Sequence, residues 1–270
     1  MAEDLAAAPD DLFTIISISA LASVLGDVLH EGLGHGVTAW LSGAHHITIS
    51  TVAMQAEIDN RWIEANGTLV NLIFGGIFWL LLLKANRYRP ATRYFLVLAM
   101  MGNLFAGTGY FFFSGVTNYG DWAAVIRGLQ MHWLWQIGLI ALGVATYFAS
   151  MLLVASKLKP FHTAQKRRRI RGLCWTPYIT DGILAGVAGL PNPAGLVYVF
   201  TSALPSTLGA NAGLFSLPGI IGRWSRKSQA SNQEEERVAP IGRSYGWIGA
   251  AVIVVLLHIF VIGRGITWSR

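Results

Sequence analysis

Charge is scarce in this 270-residue chain: only 13% of its residues are Asp, Glu, Lys or Arg, about half the share of an ordinary soluble domain. That shortage excludes a solvated surface on all sides. Cysteine is nearly missing as well. The single Cys174 rules out an internal disulfide and any metal site built from several thiolates. The N-terminal stretch MAEDLAAAPDD has no basic segment of the kind that opens a cleavable signal, so the first apolar run is expected to stay as a span.

Apolar sequence fills the gap. Hydrophobic residues make up 53% of the chain, and ten tryptophans are available as interfacial anchors. Runs long enough to cross about 30 Å of hydrocarbon are read at about 11–41, 66–84, 94–114, 133–156 and 246–263. The stretch 176–221 is too long for one crossing and is broken at Leu190-Pro191-Asn192-Pro193, so a hairpin of two spans is expected. The fold expected is one all-α, multi-pass membrane domain over 1–270, with about six to seven transmembrane helices. A small β-like or re-entrant segment, HHITISTVAMQAEI, follows the first span.

The net charge of +6 could suggest nucleic acid, but its distribution argues otherwise. Sixteen of the 20 basic residues fall within 84–93, 157–171 and 223–243, on one side of a seven-span arrangement. The positive-inside rule then puts the N-terminus in the cytoplasm and the C-terminus outside. The run KRRRIR reads as an orientation signal with affinity for anionic lipid. The partner implied is the bilayer, not nucleic acid, and a compact chain of this size suits a bacterial inner membrane.

Against this background the stretch LGDVLHEGLGHGVTAW, Leu25 to Trp40, is out of place. An ionisable group in hydrocarbon costs at least a few kcal/mol, yet His30, Glu31 and His35 lie together near the end of the first span. The pattern is H-E-x-x-H with one residue added. Zinc accepts two imidazoles and a carboxylate with water in the fourth place, and a nearby glutamate can take that water's proton. On a regular helix His30 and His35 sit about 140° apart. A single π-turn, eased by Gly32 and Gly34, would bring them to one face. The rival pairing uses Glu31 and His35, four residues apart, with His30 outside. Asp121, just past the exit of the span at 94–114, shares the depth of the histidines, as does the start of the span at 66–84. Asp181 is expected at the opposite side.

HEGLGHGVTAWLSG resembles the H-E-x-x-H helix of the M50-type, site-2-protease-like membrane metalloproteases, with one residue inserted. NGTLVN, Asn66 to Asn71, is similar to the A-G-P-x-x-N element of that group, with Thr68 in place of the proline. TNYGDWAAVIRGL, Thr117 to Leu129, resembles the aspartate-bearing segment of the M50B-like branch. The resemblance covers about residues 15–130, inside a metalloprotease-like core of about 11–156. The hairpin and last span, about 176–265, lie beyond it. It implies Zn2+ held by His30, His35 and Asp121, Glu31 as general base, and hydrolysis of peptide bonds in or beside the membrane. Asn71 is the expected substrate-binding residue. Substrates would be membrane proteins or peptides, recognised by span surfaces, the 42–65 loop or a regulatory membrane partner.

Plainer readings apply elsewhere. Asp27, one turn before His30, could fix an imidazole or line a water cavity. His45 and His46 read as solvated residues, His132 as an interfacial anchor beside Trp133 and Trp135, and His258 as a satisfied core histidine. Helix breakers in GLPNPAGL and SALPSTLGANAGL suit a gate beside the site. They equally suit a small carrier, the competing reading, and a non-enzymatic scaffold with a degenerate site is the third.

Overall fold

The computed structural model describes residues 9–162, 167–192, 195–230 and 237–269. The acidic residues 1–8, Lys166 of the basic run, Pro193 of the breaker stretch and Arg270 lie outside them.

The first helix, α1 (Leu12–Asp27), starts where the Asp11 carboxylate accepts hydrogen bonds from Thr14 N and Thr14 Oγ1, both at 2.9 Å. That is an ordinary N-cap. The helix continues without a break through a π-helical segment, Val28–Gly36, into α2 (Val37–Leu41). Strands β1 (His46–Ile49) and β2 (Met54–Ala56) follow, and then α3 (Arg61–Leu81), capped by Asn60 Oδ1. Pro90, which needs no backbone N–H donor in a first turn, opens α4 (Pro90–Thr117). Beyond it come α5 (Asp121–Ile126), α6 (His132–Leu158) and α7 (Arg167–Gly189). Short pieces α8 (Leu196–Tyr198), α9 (Leu204–Ala210) and α10 (Leu217–Ala230) lead to α11 (Tyr245–Phe260). A last strand, β3 (Ile266–Ser269), pairs antiparallel with β1, giving the order β2-β1-β3.

Five helical stretches among the described residues are long and apolar enough to cross a membrane: Leu12–Leu41, Arg61–Arg87, Pro90–Thr117, His132–Phe161 and Tyr245–Arg264. The region expected as a two-span hairpin adds no further stretch of that length and apolarity among the described residues. Its first arm, α7, starts at Arg167 and contains Pro177, and its return is divided among α8, α9 and α10. Basic residues at one end and prolines along the return keep both arms short of the apolarity of the other five.

Side-chain contacts fix which ends meet. Arg169 grips Asp10 through Nε (2.8 Å) and Nη2 (3.0 Å), and Arg243 Nε reaches Asp11 Oδ2 at 3.0 Å. Lys159 Nζ donates to Ser228 Oγ at 2.8 Å. The starts of α1, α7 and α11 and the ends of α6 and α10 therefore share one basic face. At the other end Thr51 Oγ1 donates to Ala188 O and Asn192 Nδ2 to Ser50 Oγ, both at 2.9 Å, so α7 runs from the basic face to the sheet. α4 is the hub, with 61% of its apolar window buried against 17% for α11. Tyr94, Met100, Met101 and Phe105 fill the centre. Outward-facing Ile73, Leu80, Ile137, Phe148, Ile253 and Leu257 are exposed, a surface that suits lipid and that water would penalise.

Candidate metal centre

The five-residue histidine spacing is accommodated by the backbone itself. Over Val28–Gly36 the chain winds as a π-helix, a form found mainly as short insertions at functional sites. The extra residue per turn brings both imidazoles to one face, with His30 Nε2 and His35 Nε2 3.2 Å apart. Both residues are buried. Close approach to α3 makes this geometry rigid. A Cβ on Gly34 would lie 2.5 Å from Gly67 Cα and 2.8 Å from Asn66 O. A Cβ on Gly67 would collide with His35 Nε2 and with His30 Cε1. Only two glycines let this wall of α3 sit flat against the rings.

Hydrogen bonds behind each ring decide its tautomer. His35 Nδ1 is 2.6 Å from Ile63 O, which can only accept, so Nδ1 carries the proton. His30 Nδ1 is 2.6 Å from Asn71 Oδ1. Asn71 Nδ2 donates to Asn103 Oδ1 at 2.8 Å and to Gly26 O at 3.3 Å, while Asn103 Nδ2 donates to Ala99 O at 2.8 Å. The relay begins at a carbonyl, which fixes both amides and makes His30 Nδ1 a donor too. Each neutral imidazole therefore turns an Nε2 lone pair toward the other. Such outer partners orient the ligands of metal sites.

The third group arrives from a turn. Asn118 adopts a left-handed conformation (φ 54°) and Gly120 has φ 85°, so the chain reverses after α4 and starts α5 at Asp121. Asp121 Oδ2 lies 3.3 Å from His30 Nε2 and 3.5 Å from His35 Nε2. Thr68 Oγ1, fully buried, donates to the same oxygen at 3.4 Å. Two nitrogen lone pairs and a carboxylate oxygen crowd one point. A proton can bridge two of them, whereas one metal ion serves all three. A tetrahedral ion with bonds of 2.0–2.1 Å separates its ligand atoms by about 3.3 Å, and the observed separations are 3.2, 3.3 and 3.5 Å. The cluster can hold a metal ion.

Glu31 stands beside this point without joining it. Its Oε1 is 4.0 Å from His30 Nε2, and its buried Oε2 has no hydrogen-bond partner. Two cavities meet at this side chain. An outer cleft of about 350 Å³ is lined by Glu31, His35, Asp121 and Val52–Met54 of the sheet loop. An inner cavity of about 140 Å³ is lined by Glu31, His30, Asp27 and Asp181. Tyr110 borders both and stacks on the His30 ring at 5.1 Å between centroids.

The structure thus gathers His30, His35 and Asp121, with Glu31 adjacent. Asn71, the expected substrate-binding residue, is fully buried and hydrogen-bonded to His30, and it also lines the inner cavity. Asp181 is not confined to the far side, because it enters the inner cavity that His30 also lines. Asp27 faces an imidazole, but that of His258, at 3.9 Å. His258 is buried yet not satisfied, since its Nδ1 has no partner. His132 is tied to Asn118 Oδ1 at 2.9 Å and borders the outer cleft. His45 and His46 are exposed. Sequence reasoning missed Tyr110, Asn103 and Asn211. Asn103, a polar residue in the apolar run LVLAMMGNLF, carried a readable signal. Tyr110, inside GYFFFSG, did not. The chain matches no protein-family profile, no curated protein and no solved structure.

Proposed function

We propose that this chain is a zinc-dependent peptidase of the M50-like kind, cutting membrane proteins or peptides within or beside the bilayer. The observation that carries the reading is the near-equilateral arrangement of His30 Nε2, His35 Nε2 and Asp121 Oδ2, with an unpartnered buried carboxylate oxygen on Glu31 next to it. Two neutral nitrogens and one carboxylate are a donor set that suits zinc. Zinc, when bound there, acidifies water and polarises a scissile carbonyl.

The chain's own residues supply the rest. Glu31 Oε2 accepts a proton from the attacking water and delivers it to the leaving amine. Asn71 and Ile63 O hold the two rings in the donor-ready tautomer, and Thr68 steadies the Asp121 carboxylate. Val52, Ala53 and Met54 border the same cleft as Glu31 and His35. Among the described residues β2 pairs with β1 alone and forms an edge of the sheet. A locally unwound substrate can pair with that edge as an added strand, which lays its backbone across the cleft. The N-terminus lies in the cytoplasm in this reading and the chain crosses a bacterial inner membrane seven times, α7 and the broken return being the additional crossings.

Glu31→Gln should retain zinc while abolishing cleavage of a membrane substrate, because the amide cannot accept the proton. His35→Ala should lose both. Cleavage by Glu31→Gln at the parent rate would remove the catalytic assignment.

A further inference from the structure

The inner cavity contains more polar groups than the peptidase reading uses. Five of them come from four separate elements: Ser23 and Asp27 of α1, Asp181 of α7, Asn211 after α9, and His258 of α11. Asp181 accepts a hydrogen bond from Asn211 Nδ2 at 2.7 Å. Ser23 also hydrogen-bonds Asp181, and three atoms are left over. Asn211 Oδ1, Asp27 Oδ2 and His258 Nδ1 are buried and have no hydrogen-bond partner. Asn211 and His258 are 6% and 4% exposed, so bulk solvent does not satisfy them. A buried polar group without a partner is unfavourable by roughly 1–3 kcal/mol, and three on one cavity wall point to a polar occupant.

Charge narrows the choice of occupant. On the proposed reading, a divalent metal at the first site would balance Asp121 and Glu31. Asp27 and Asp181 then remain, and no Lys or Arg is among the described residues lining the cavity. A carboxyl in a membrane domain ionises only beside a positive partner; Asp27 has the His258 ring at 3.9 Å, and a cation entering the cavity can serve both acids. The donors are mostly oxygens, which favours a hard ion over a soft one. At about 30 Å³ per water, a space of about 140 Å³ holds one ion with a few waters. Hard divalent ions are commonly bound in that way, by one or two carboxylates and a retained water shell.

We propose that the inner cavity is a second cation site, distinct from the histidine centre, in which Asp27, Asp181 and Asn211 Oδ1 hold a hydrated Ca2+ or Mg2+ and His258 Nδ1 meets its water shell. The ion ties α1, which carries the histidine motif, to α7 and α11 from the C-terminal third.

The test is equilibrium dialysis of the zinc-loaded, full-length protein in detergent against radioactive calcium, with magnesium as competitor. About one calcium per chain should bind with a dissociation constant of roughly 1 mM or tighter, displaced by magnesium. Binding should survive Asp121→Asn, which disables only the first site, and weaken at least tenfold in Asp181→Asn. Because Asp181→Asn also alters a packed hydrogen bond, Asn211→Asp provides an independent arm: the added carboxylate should tighten calcium binding. No calcium bound to the wild type at millimolar concentration would overturn the proposal. So would calcium binding that disappears with Asp121→Asn but persists in Asp181→Asn, or affinity that is unchanged or weaker in Asn211→Asp.

Discussion

Two polar regions share the interior of this bundle and are finished to different degrees. At the histidine centre the atoms behind both rings have partners, Ile63 O behind His35 and the Asn71–Asn103 relay behind His30, and Thr68 donates to Asp121 Oδ2. In the inner cavity, three buried polar atoms of Asp27, Asn211 and His258 have none. The contrast follows from how the helices meet. α3 lies flat against the π-segment through Gly34 and Gly67, near enough for backbone and side chains to close each other's hydrogen bonds. α7, α9 and α11 meet α1 at an opening that side chains do not fill. The first region is preorganised for one small ion. The second relies on what enters it.

The largest effect should come from the basic face, where α1, which carries residues of both regions, is tied to α7. Arg169 is a buried partner of Asp10 and also donates to Val238 O and Ala239 O at 2.8 and 2.9 Å. Asp10→Ala leaves that guanidinium without its anion and should destabilise the fold by about 3–5 kcal/mol, read as a lower melting temperature in detergent. Gly34→Ala attacks the tight side of the comparison. Its Cβ meets backbone atoms that cannot yield, so a loss of about 1–3 kcal/mol is expected, together with weaker metal binding. Gly26→Ala, with nothing within 4 Å of the added carbon, should leave metal affinity unchanged and serves as its control.

Asn71→Ala sharpens the contrast without disturbing packing as severely. It removes the partner that fixes the His30 tautomer, and metal affinity should fall about 10–100-fold, measured by competition with a chelator. The smallest effect concerns the sheet loop. Glu57 accepts from the backbone N–H groups of His45 and His46, and these bonds hold its carboxyl below the usual carboxylate range. Its contribution is complete above the ordinary Glu pKa of about 4.3 and is lost as pH falls through the lower folded value. Protection of the His45 and His46 amides, relative to their intrinsic exchange rates, should therefore fall on acidification, and Glu57→Gln should show weaker protection that no longer varies with pH.

The membrane-type helices were legible because lipid demands long apolar runs, and five stretches carry them plainly. The π-turn was legible too, since His30 and His35 are one residue too far apart for a shared helical face. Asp121 could be selected by depth. What stayed hidden depends on contacts between distant segments. Asn71 read as a substrate-binding residue, and its bond to His30 depends on Asn103, 32 residues away, which fixes its amide. His258 and Asp181 looked like isolated polar residues because the cavity that joins them is made by α1, α7 and α11 together. The pairing of β3 with β1 links residues more than 200 positions apart, and no local pattern announces it.

The central claim is that His30, His35 and Asp121 form one metal-binding centre. Metal content per chain of the purified protein, measured by elemental analysis beside His35→Ala and Asp121→Ala, tests it most directly. The account predicts about one zinc per chain in the parent and a stoichiometric loss in both variants, with helical content retained. A parent free of tightly held metal after zinc loading, or variants that keep a full equivalent, would contradict it.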